Sequence, residues 1–404
     1  MKFLFQDDSF SFETLRAAGF SVDGGSDISE ILVTASKISE GDEEAWHREW
    51  KALAQRVHRI GQDALAKGHK ISAKDAFLRT SNYYRTAEFF RRVDPLNDPE
   101  VLTLSRLSRD TFLQAAALLD GPVEDVKIPY GNHLLPAYLF LVDGSGVPRP
   151  TVIYTNGFDS TREEAYFAIG ASALRRGYNV LAYDGPGQGA AIREDRLPFR
   201  PDWEKVLTPV IDFAFKRPEI AKDKIAHFGY SLGAYLIARA AAFDKRSAAL
   251  MLDDGMFDFH ETNVIALPPF LAKWVAEGRD DVTTPIFDLL KKNNTGLRWL
   301  VQNGMWTFGA NSAGDYIRRT KEYTLAGIAQ NITAPTLILE AEGDKFLPGQ
   351  AAKVSAALKS PHKVVTFRAF EGAEEHCHMG AMRLAHQTMF DWLDETLASR
   401  GAQK

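Results

Sequence analysis

Gly229-Tyr230-Ser231-Leu232-Gly233 separates a strand-like run, Ile225 to Phe228, from a small-residue helical run, Ala234 to Phe243. A G-x-S-x-G in that setting reads as a nucleophile elbow, a turn so tight that only glycines fit around the exposed serine. The chain must end a strand there, present one hydroxyl and begin a helix whose N-terminus favours nearby negative charge. By itself the motif is also compatible with a strand-to-helix turn that does no chemistry. It is followed, however, by an acid after a hydrophobic strand (Asp344) and by a late histidine (His376), in the chain order Ser, Asp, His. A serine hydrolase is therefore the leading expectation.

Strand-like and helical runs alternate over the rest of the chain's second part. Thr151 to Thr155, Asn179 to Tyr183, Ile225 to Phe228, Ala248 to Leu252, Thr336 to Glu340 and Lys363 to Phe370 are short β-rich runs, most separated by helical stretches. Such alternation predicts an α/β fold, a mainly parallel sheet with helices on both faces and the site at the carboxyl ends of the strands. Val123 to Tyr130 and Leu134 to Val142 read as a hairpin turning at Gly131-Asn132. Residues 255–332 are too long for a simple crossover and contain helix-like pieces, Phe270 to Glu277 and Pro285 to Lys292, so a helical lid over the site is expected.

The division of the chain follows: an N-terminal helical domain over 1–121 and an α/β domain over 122–404. From Gly41 to Leu119 the text is helical. Trp46, Trp50, Leu53, Val57 and Ile60 step by four and three along one face, and further helices are predicted over Ser72 to Val93 and Asp98 to Leu119. Phe77, Tyr83, Tyr84, Phe89 and Phe90 should be mainly core, with a few rings left for a substrate pocket. No self-similarity at a fixed period supports a repeat array.

A serine attack needs a base, a carboxylate behind it and donors for the oxyanion. His376 and His378 lie between the last strand-like run and the helical run Ala381 to Leu397, with His376 preferred as base and the other expected to cap the helix. Asp344, at a strand end 32 residues before His376, is the preferred acid; Glu342 is a weaker substitute. Asp253 and Asp254 could supply an alternative acid or a pocket carboxylate. The Leu232 N–H and the Phe158 N–H are the expected oxyanion donors, Gly157 permitting close backbone approach. Ser160 and Glu163 have capping-box spacing. Asp159 is anomalous beside an anion site, and is expected either to point away or to bind a polar group of the substrate. With Gly157, Tyr230 and Asp254 it completes the candidate substrate-binding set.

Composition narrows the partners. A net charge of -5 with scattered Lys and Arg gives no basic field for nucleic acid or an anionic membrane. The single cysteine, Cys377, excludes an internal disulfide, no run approaches the length of a membrane span, and the first residues turn acidic before a signal region develops, so a cytoplasmic location is expected. No metal is expected, because no second Cys/His cluster at zinc-like spacing accompanies His376, Cys377 and His378. No cofactor is implied either: the run from Asp184 to Gly189, DGPGQG, lacks the spacing of a phosphate loop. A small-molecule substrate is the expected partner, and exposed helical surface in the N-terminal region is compatible with a homodimer.

Taken together, Val123 to Leu397 resembles the α/β-hydrolase superfamily. The DGPGQG run, the segment from Ser160 to Glu164, the Glu375-His376-Cys377 context and the helical N-terminal domain resemble more narrowly the fermentation-respiration switch and 2,6-dihydroxypseudooxynicotine hydrolase group; fungal polyketide-shortening hydrolases are similar in architecture. The resemblance implies an α/β-hydrolase fold whose N-terminal helices and lid enclose the substrate. It assigns Ser231, Asp344 and His376 as triad, with Phe158 and Leu232 as oxyanion donors. It also implies cleavage of an ester or of a C–C bond next to a carbonyl, in a medium-sized aromatic or polyketide-like substrate. Several α/β hydrolases carry His-Gly where this chain has Asn156-Gly157. An acyltransferase or cyclase using the same residues, and a non-catalytic interaction protein that keeps the fold, are the alternatives.

Overall fold

The β-rich runs pair edge to edge into one sheet. In the computed structural model, which describes residues 1–401, its strands are β1 (Val123–Tyr130), β2 (His133–Phe140), β3 (Arg149–Thr155), β4 (Asn179–Tyr183), β5 (Ile220–Tyr230), β6 (Ala249–Asp253), β7 (Thr336–Ala341) and β8 (His362–Phe367). They lie in the order β1-β2-β4-β3-β5-β6-β7-β8. β1 and β2 form the antiparallel hairpin read from the sequence, with Tyr130 opposite His133 across Gly131-Asn132, and β2 runs antiparallel to β4. All remaining pairs are parallel. Helices on both sides bury the two faces, as the unbroken burial of β4 and β6 requires.

β5 is the longest strand and starts five residues before the predicted run. Its first residues, Ala221 to Lys224, lie outside the fully buried stretch and carry too little apolar signal to be read as strand. β8 stops at Phe367, because Ala369–Glu371 turns into a short 3₁₀ segment.

The N-terminal region holds α1 (Asp8–Gly19), α2 (Ile28–Ala35), α3 (Glu43–Ala66), α4 (Lys70–Glu88) and α5 (Pro99–Ala116). The last three correspond to the predicted helices, and Trp46, Trp50, Leu53 and Val57 are buried while Ile60 is exposed. The first two were not predicted. α1 is capped by Asp7, whose Oδ1 accepts the Ser9 and Phe10 N–H groups at 2.9 and 3.0 Å. It buries polar Ser11, Glu13, Thr14 and Arg16 together with Phe10 and Leu15, so no apolar stripe marks it.

Between β6 and β7, the helices Phe259–Val264, Pro269–Ala276, Asp280–Leu290, Thr295–Thr307 and Ala313–Arg319 fill the span expected as a lid. The third begins at Asp280 rather than at Pro285. Asp280 and Asp281 suit its first turn, and Asp280 also anchors Arg318 through Oδ1 and Oδ2 at 2.8 and 2.7 Å. No helix among the described residues is long and apolar enough to cross a membrane.

Candidate active site

Ser231 lies between β5 and the helix Leu232–Ala241, with φ 57° and ψ −121°. A non-glycine residue in the left-handed region is strained and persists only where its surroundings fix it. Here the Ser231 N–H donates to the Asp253 carbonyl, and the flanking glycines let three backbone segments converge. A Cβ on Gly229 would lie 2.3 Å from the Gly233 carbonyl oxygen, and one on Gly233 would lie 2.3 Å from the Thr155 carbonyl oxygen. The motif is therefore a packing requirement as well as a turn.

His376 arrives from the segment after β8, on a tight turn in which Cys377 and His378 also have positive φ, 51° and 54°. Its Nε2 is 2.8 Å from Ser231 Oγ, and its Nδ1 is 2.7 Å from Asp344 Oδ2. Asp344 follows β7, and its Oδ1 accepts the Phe346 and Leu347 N–H groups at 2.7 and 3.2 Å, which fixes the carboxylate. With Nδ1–H donating to Asp344, neutral His376 offers the Nε2 lone pair to the serine hydroxyl. Burial opposes the imidazolium, but Asp344 outweighs it, helped by Cys377 and Asp254, and holds the His376 pKa well above its ordinary value. The structure thus brings together Ser231, His376 and Asp344, three residues 145 and 32 positions apart along the chain. The geometry is competent for proton transfer from an attacking hydroxyl.

The segment after β3 packs against this elbow. A Cβ on Gly157 would lie 2.6 Å from the Tyr230 carbonyl oxygen and 3.1 Å from Ser231 Cβ. Asn156 is held by side chains: its Nδ2 donates to Asp184 Oδ1 at 2.8 Å, while Gln188 Nε2 donates to its carbonyl at 2.6 Å. The DGPGQG turn thus braces the backbone beside Ser231. Ser160 does not start a helix: its hydroxyl accepts the Gly157 N–H at 2.8 Å, and Glu163 accepts the Tyr138 hydroxyl at 2.8 Å. The capping-box spacing is overridden because Ser160 bonds back to Gly157 in the preceding turn and Glu163 is taken by Tyr138 of β2. Phe158 and Leu232 both line the cavity at Ser231, and Leu232 opens a helix, where an N–H has no intrahelical acceptor.

That cavity encloses about 290 Å³. Its walls are mostly apolar, and separate parts of the chain contribute aromatic rings: Phe12 and Phe89 from the N-terminal region, Phe158 from the β3 loop, Phe259 and Trp299 from the inserted helices, and Phe346 from the segment after β7. Phe89 stacks on Trp299 at 4.6 Å, and Trp299 meets Phe158 edge-on at 5.8 Å. Phe12 and Phe346 cover the His376 ring at 6.0 and 5.1 Å. Of the aromatic set read from α4 and its end, Phe89 reaches this cavity; Phe77, Tyr83, Tyr84 and Phe90 are buried elsewhere in the core.

Asp159 also lines the cavity, and it does not point away. Its Oδ1 accepts from Arg16 Nη1 of α1 at 2.9 Å, with Arg85 of α4 3.8 Å off. Burial works against its charge, but Arg16 and then Arg85 outweigh it and hold the carboxyl below its usual range. Arg16, Glu13, Arg85 and Glu164 continue the network, with Arg85 2.7 Å from Glu13 and 3.1 Å from Glu164. Sequence reasoning missed α1, and with it Phe12, Glu13 and Arg16. The one local signal was Asp7 before Asp8, an N-cap pattern.

Two candidates land elsewhere. Asp254 is buried behind His376 rather than on the cavity wall, because β6 ends beneath the His376 turn. His378 caps no helix; its Nε2 lies 3.1 Å from Asp253 Oδ1 and 3.2 Å from Asp254 Oδ1. Tyr230 does line the cavity, although its hydroxyl turns to Met379 Sδ at 3.8 Å.

A mainly parallel sheet, a serine on the strand-to-helix elbow and a histidine after the last strand define an α/β hydrolase. Residues 152–383 match the profile of the alpha/beta hydrolase family, and the chain belongs to that family, a group of enzymes. More narrowly, residues 33–254 match the profile described as esterase FrsA-like, which reaches into the N-terminal helices. Hydrolase LUC6 of a Fusarium species is 36% identical over 98% of both chains. The 20-hydroxy-prefusarin hydrolase FUS2 of Gibberella moniliformis is likewise 36% identical over 98% of both. The crystal structure of 2,6-dihydroxy-pseudo-oxynicotine hydrolase superposes with a TM-score of 0.74 over 95% of this chain and 96% of that one, at 21% identity. That likeness establishes the shared fold, helical region included.

Proposed function

We propose that this chain is a serine hydrolase in which Ser231, His376 and Asp344 act as the catalytic triad. The observation that carries the reading is the continuous hydrogen-bond chain of 2.8 and 2.7 Å from Ser231 Oγ through His376 to Asp344. Ser231 Oγ bonds to the substrate carbonyl carbon while its proton passes to His376 Nε2. The oxyanion is met by the Phe158 and Leu232 N–H groups. When the carbonyl re-forms, the bond to the leaving group breaks and that group takes the proton from His376; water then repeats the sequence on the acyl-serine.

The substrate class follows from the cavity. Its volume and aromatic walls suit a medium-sized, mostly apolar molecule. Asp159, charged and held by Arg16, is the polar anchor, accepting a hydrogen bond from a hydroxyl or enol near the reacting carbonyl. The name of the relative FUS2 designates a hydroxylated substrate. The scissile bond is that of an ester or of a ketone flanked by a second carbonyl; both pass through the same acyl-serine and differ in the leaving group.

A fluorophosphonate probe is expected to label Ser231 in the folded protein and to leave Ser231→Ala unlabelled. Incubation in water with nitrophenyl esters and, separately, with β-diketones should release free acid from at least one class. Unlabelled Ser231, or turnover unaffected in Ser231→Ala, overturns the reading. A lactone or new ester in place of acid moves it to acyl transfer.

A further inference from the structure

Two carboxylates, not one, face the Nδ1 edge of His376. Asp344 Oδ2 is 2.7 Å away and Asp254 Oδ2 is 3.3 Å away. They come from the ends of β7 and β6, neighbours in the sheet, so the topology delivers both to one ring. Asp254 is fixed in that place. Its Oδ2 also accepts the Cys377 N–H at 2.9 Å, and its Oδ1 lies 3.2 Å from His378 Nε2, which Asp253 Oδ1 approaches to 3.1 Å.

His378 explains how two adjacent carboxylates are tolerated when buried. Its Nδ1 faces the Ala373 carbonyl at 3.3 Å while its Nε2 faces the carboxylates. Both carboxylates lie within ion-pair distance of Nε2, and although burial opposes the charge, Asp254 and then Asp253 raise the His378 pKa to about 10, so the ring is an imidazolium near neutral pH. The cation offsets part of the cluster's negative charge, and a buried carboxylate needs such a partner to stay ionised.

We propose that Asp254, braced by His378, is a second positioning carboxylate for His376, orienting the imidazole and stabilising the imidazolium that forms when Ser231 attacks. Asp344 accepts the Nδ1–H, Asp254 acts through its charge 3.3 Å away, and neither takes the proton. The assignment rests on the serine mechanism proposed above, but its test is separable from that mechanism.

The charged and titratable groups around His376 are Asp344, Asp253 and Asp254 from the sheet side, Cys377 and His378 on its own turn, and Lys345 on the cavity wall. Removing the Asp254 charge takes away an anion that favours the imidazolium, so the base deprotonates at lower pH. A residue that only stabilised the fold would not move that limb.

The test measures kcat and KM for a nitrophenyl ester over about pH 5–9. The proteins are wild type, Asp254→Asn, Asp253→Asn, Asp344→Asn and the Asp344→Asn/Asp254→Asn pair. Asp254→Asn should lower kcat about tenfold with little change in KM and move the acid limb to lower pH. Asp253→Asn, which takes a carboxylate from His378 but none from His376, should move it less. Asp344→Asn should lose about a hundredfold, short of the roughly 10⁴-fold loss of a triad left without any carboxylate, and the pair should fall at least about tenfold further. An unchanged acid limb in Asp254→Asn, or equal rates for Asp344→Asn and the pair, overturns the proposal. If Asp254→Asn does not fold, Asp344→Asn decides alone: a rate at least about tenfold above Ser231→Ala supports it, and an equal rate overturns it. Failure of the serine mechanism would appear separately, as turnover retained in Ser231→Ala.

Discussion

Two buried charge clusters flank Ser231. On the sheet side, Asp253, Asp254, Asp344, His376 and His378 gather at the ends of β6 and β7. On the helical side, Glu13, Arg16, Arg85, Asp159 and Glu164 join α1, α4 and the segment after β3. Both are largely buried, and each depends on opposite charges to stay ionised there. They differ in what they touch. The sheet-side cluster bonds to the imidazole that meets the serine; the helical-side cluster bonds mainly to itself, with Glu13, Arg16 and Asp159 at the cavity wall. Buried charge is thus a poor marker of chemistry until its contacts are known, and one of these clusters serves largely as a clasp between two parts of the chain.

The contrast can be tested by removing members of each cluster and of the elbow between them. Ser231→Ala should cost the most, at least about 10⁴-fold in kcat, with stability nearly unchanged. Arg85→Met should have the opposite signature. It takes from Glu13 and Glu164 one of their two guanidinium partners, Arg16 being the other, and should cost roughly 3 kcal/mol in urea unfolding, with the folded protein still labelled at Ser231. Strong loss of activity with unaltered stability would place the helical-side cluster in the chemistry instead.

Gly233→Ala forces a methyl group against the Thr155 carbonyl and should destabilise by about 1–3 kcal/mol, with loss of probe labelling as the elbow shifts. The pH dependence of stability separates the clusters further. Burial opposes the His378 charge, but Asp254 and Asp253 raise its pKa from 6.5 to about 10. A folded-state pKa above the unfolded one gives stability fully present below about pH 6.5 and lost as pH rises through about 10. Urea midpoints should therefore fall over that window, and His378→Asn should flatten the fall. Activity has its own sign: His376 must be neutral to act, so kcat/KM should climb through a pKa above the ordinary histidine range. Phe346→Ala, at a half-exposed ring over His376, should change stability by no more than about 0.5 kcal/mol while slowing turnover a few-fold as water reaches the imidazole.

The parallel sheet and the Ser231, Asp344 and His376 positions were legible because each depends on local text: an apolar run, a glycine-flanked serine, an acid or histidine just past a strand. α1 was not legible. Its polar residues are buried with its apolar ones, and a helix solvated on no side shows no alternation of character. Ser160 and Glu163 misled for a related reason, since a capping pattern states a local preference that Gly157 and Tyr138 outcompete. Asp159 looked out of place beside an anion site because its cationic partners lie 143 and 74 residues earlier, on helices that nothing near it in sequence announces.

Order along the chain was enough to specify the sheet, the elbow and which three residues could form a proton relay, since short-range patterning and strand ends carry that information. Which second carboxylate reaches the imidazole, why His378 holds a charge, and how Arg16 comes to clasp Asp159 emerged only on folding. Those facts are distances between groups far apart in sequence, and the desolvation and ion pairing that depend on such distances exist only once the elements are packed.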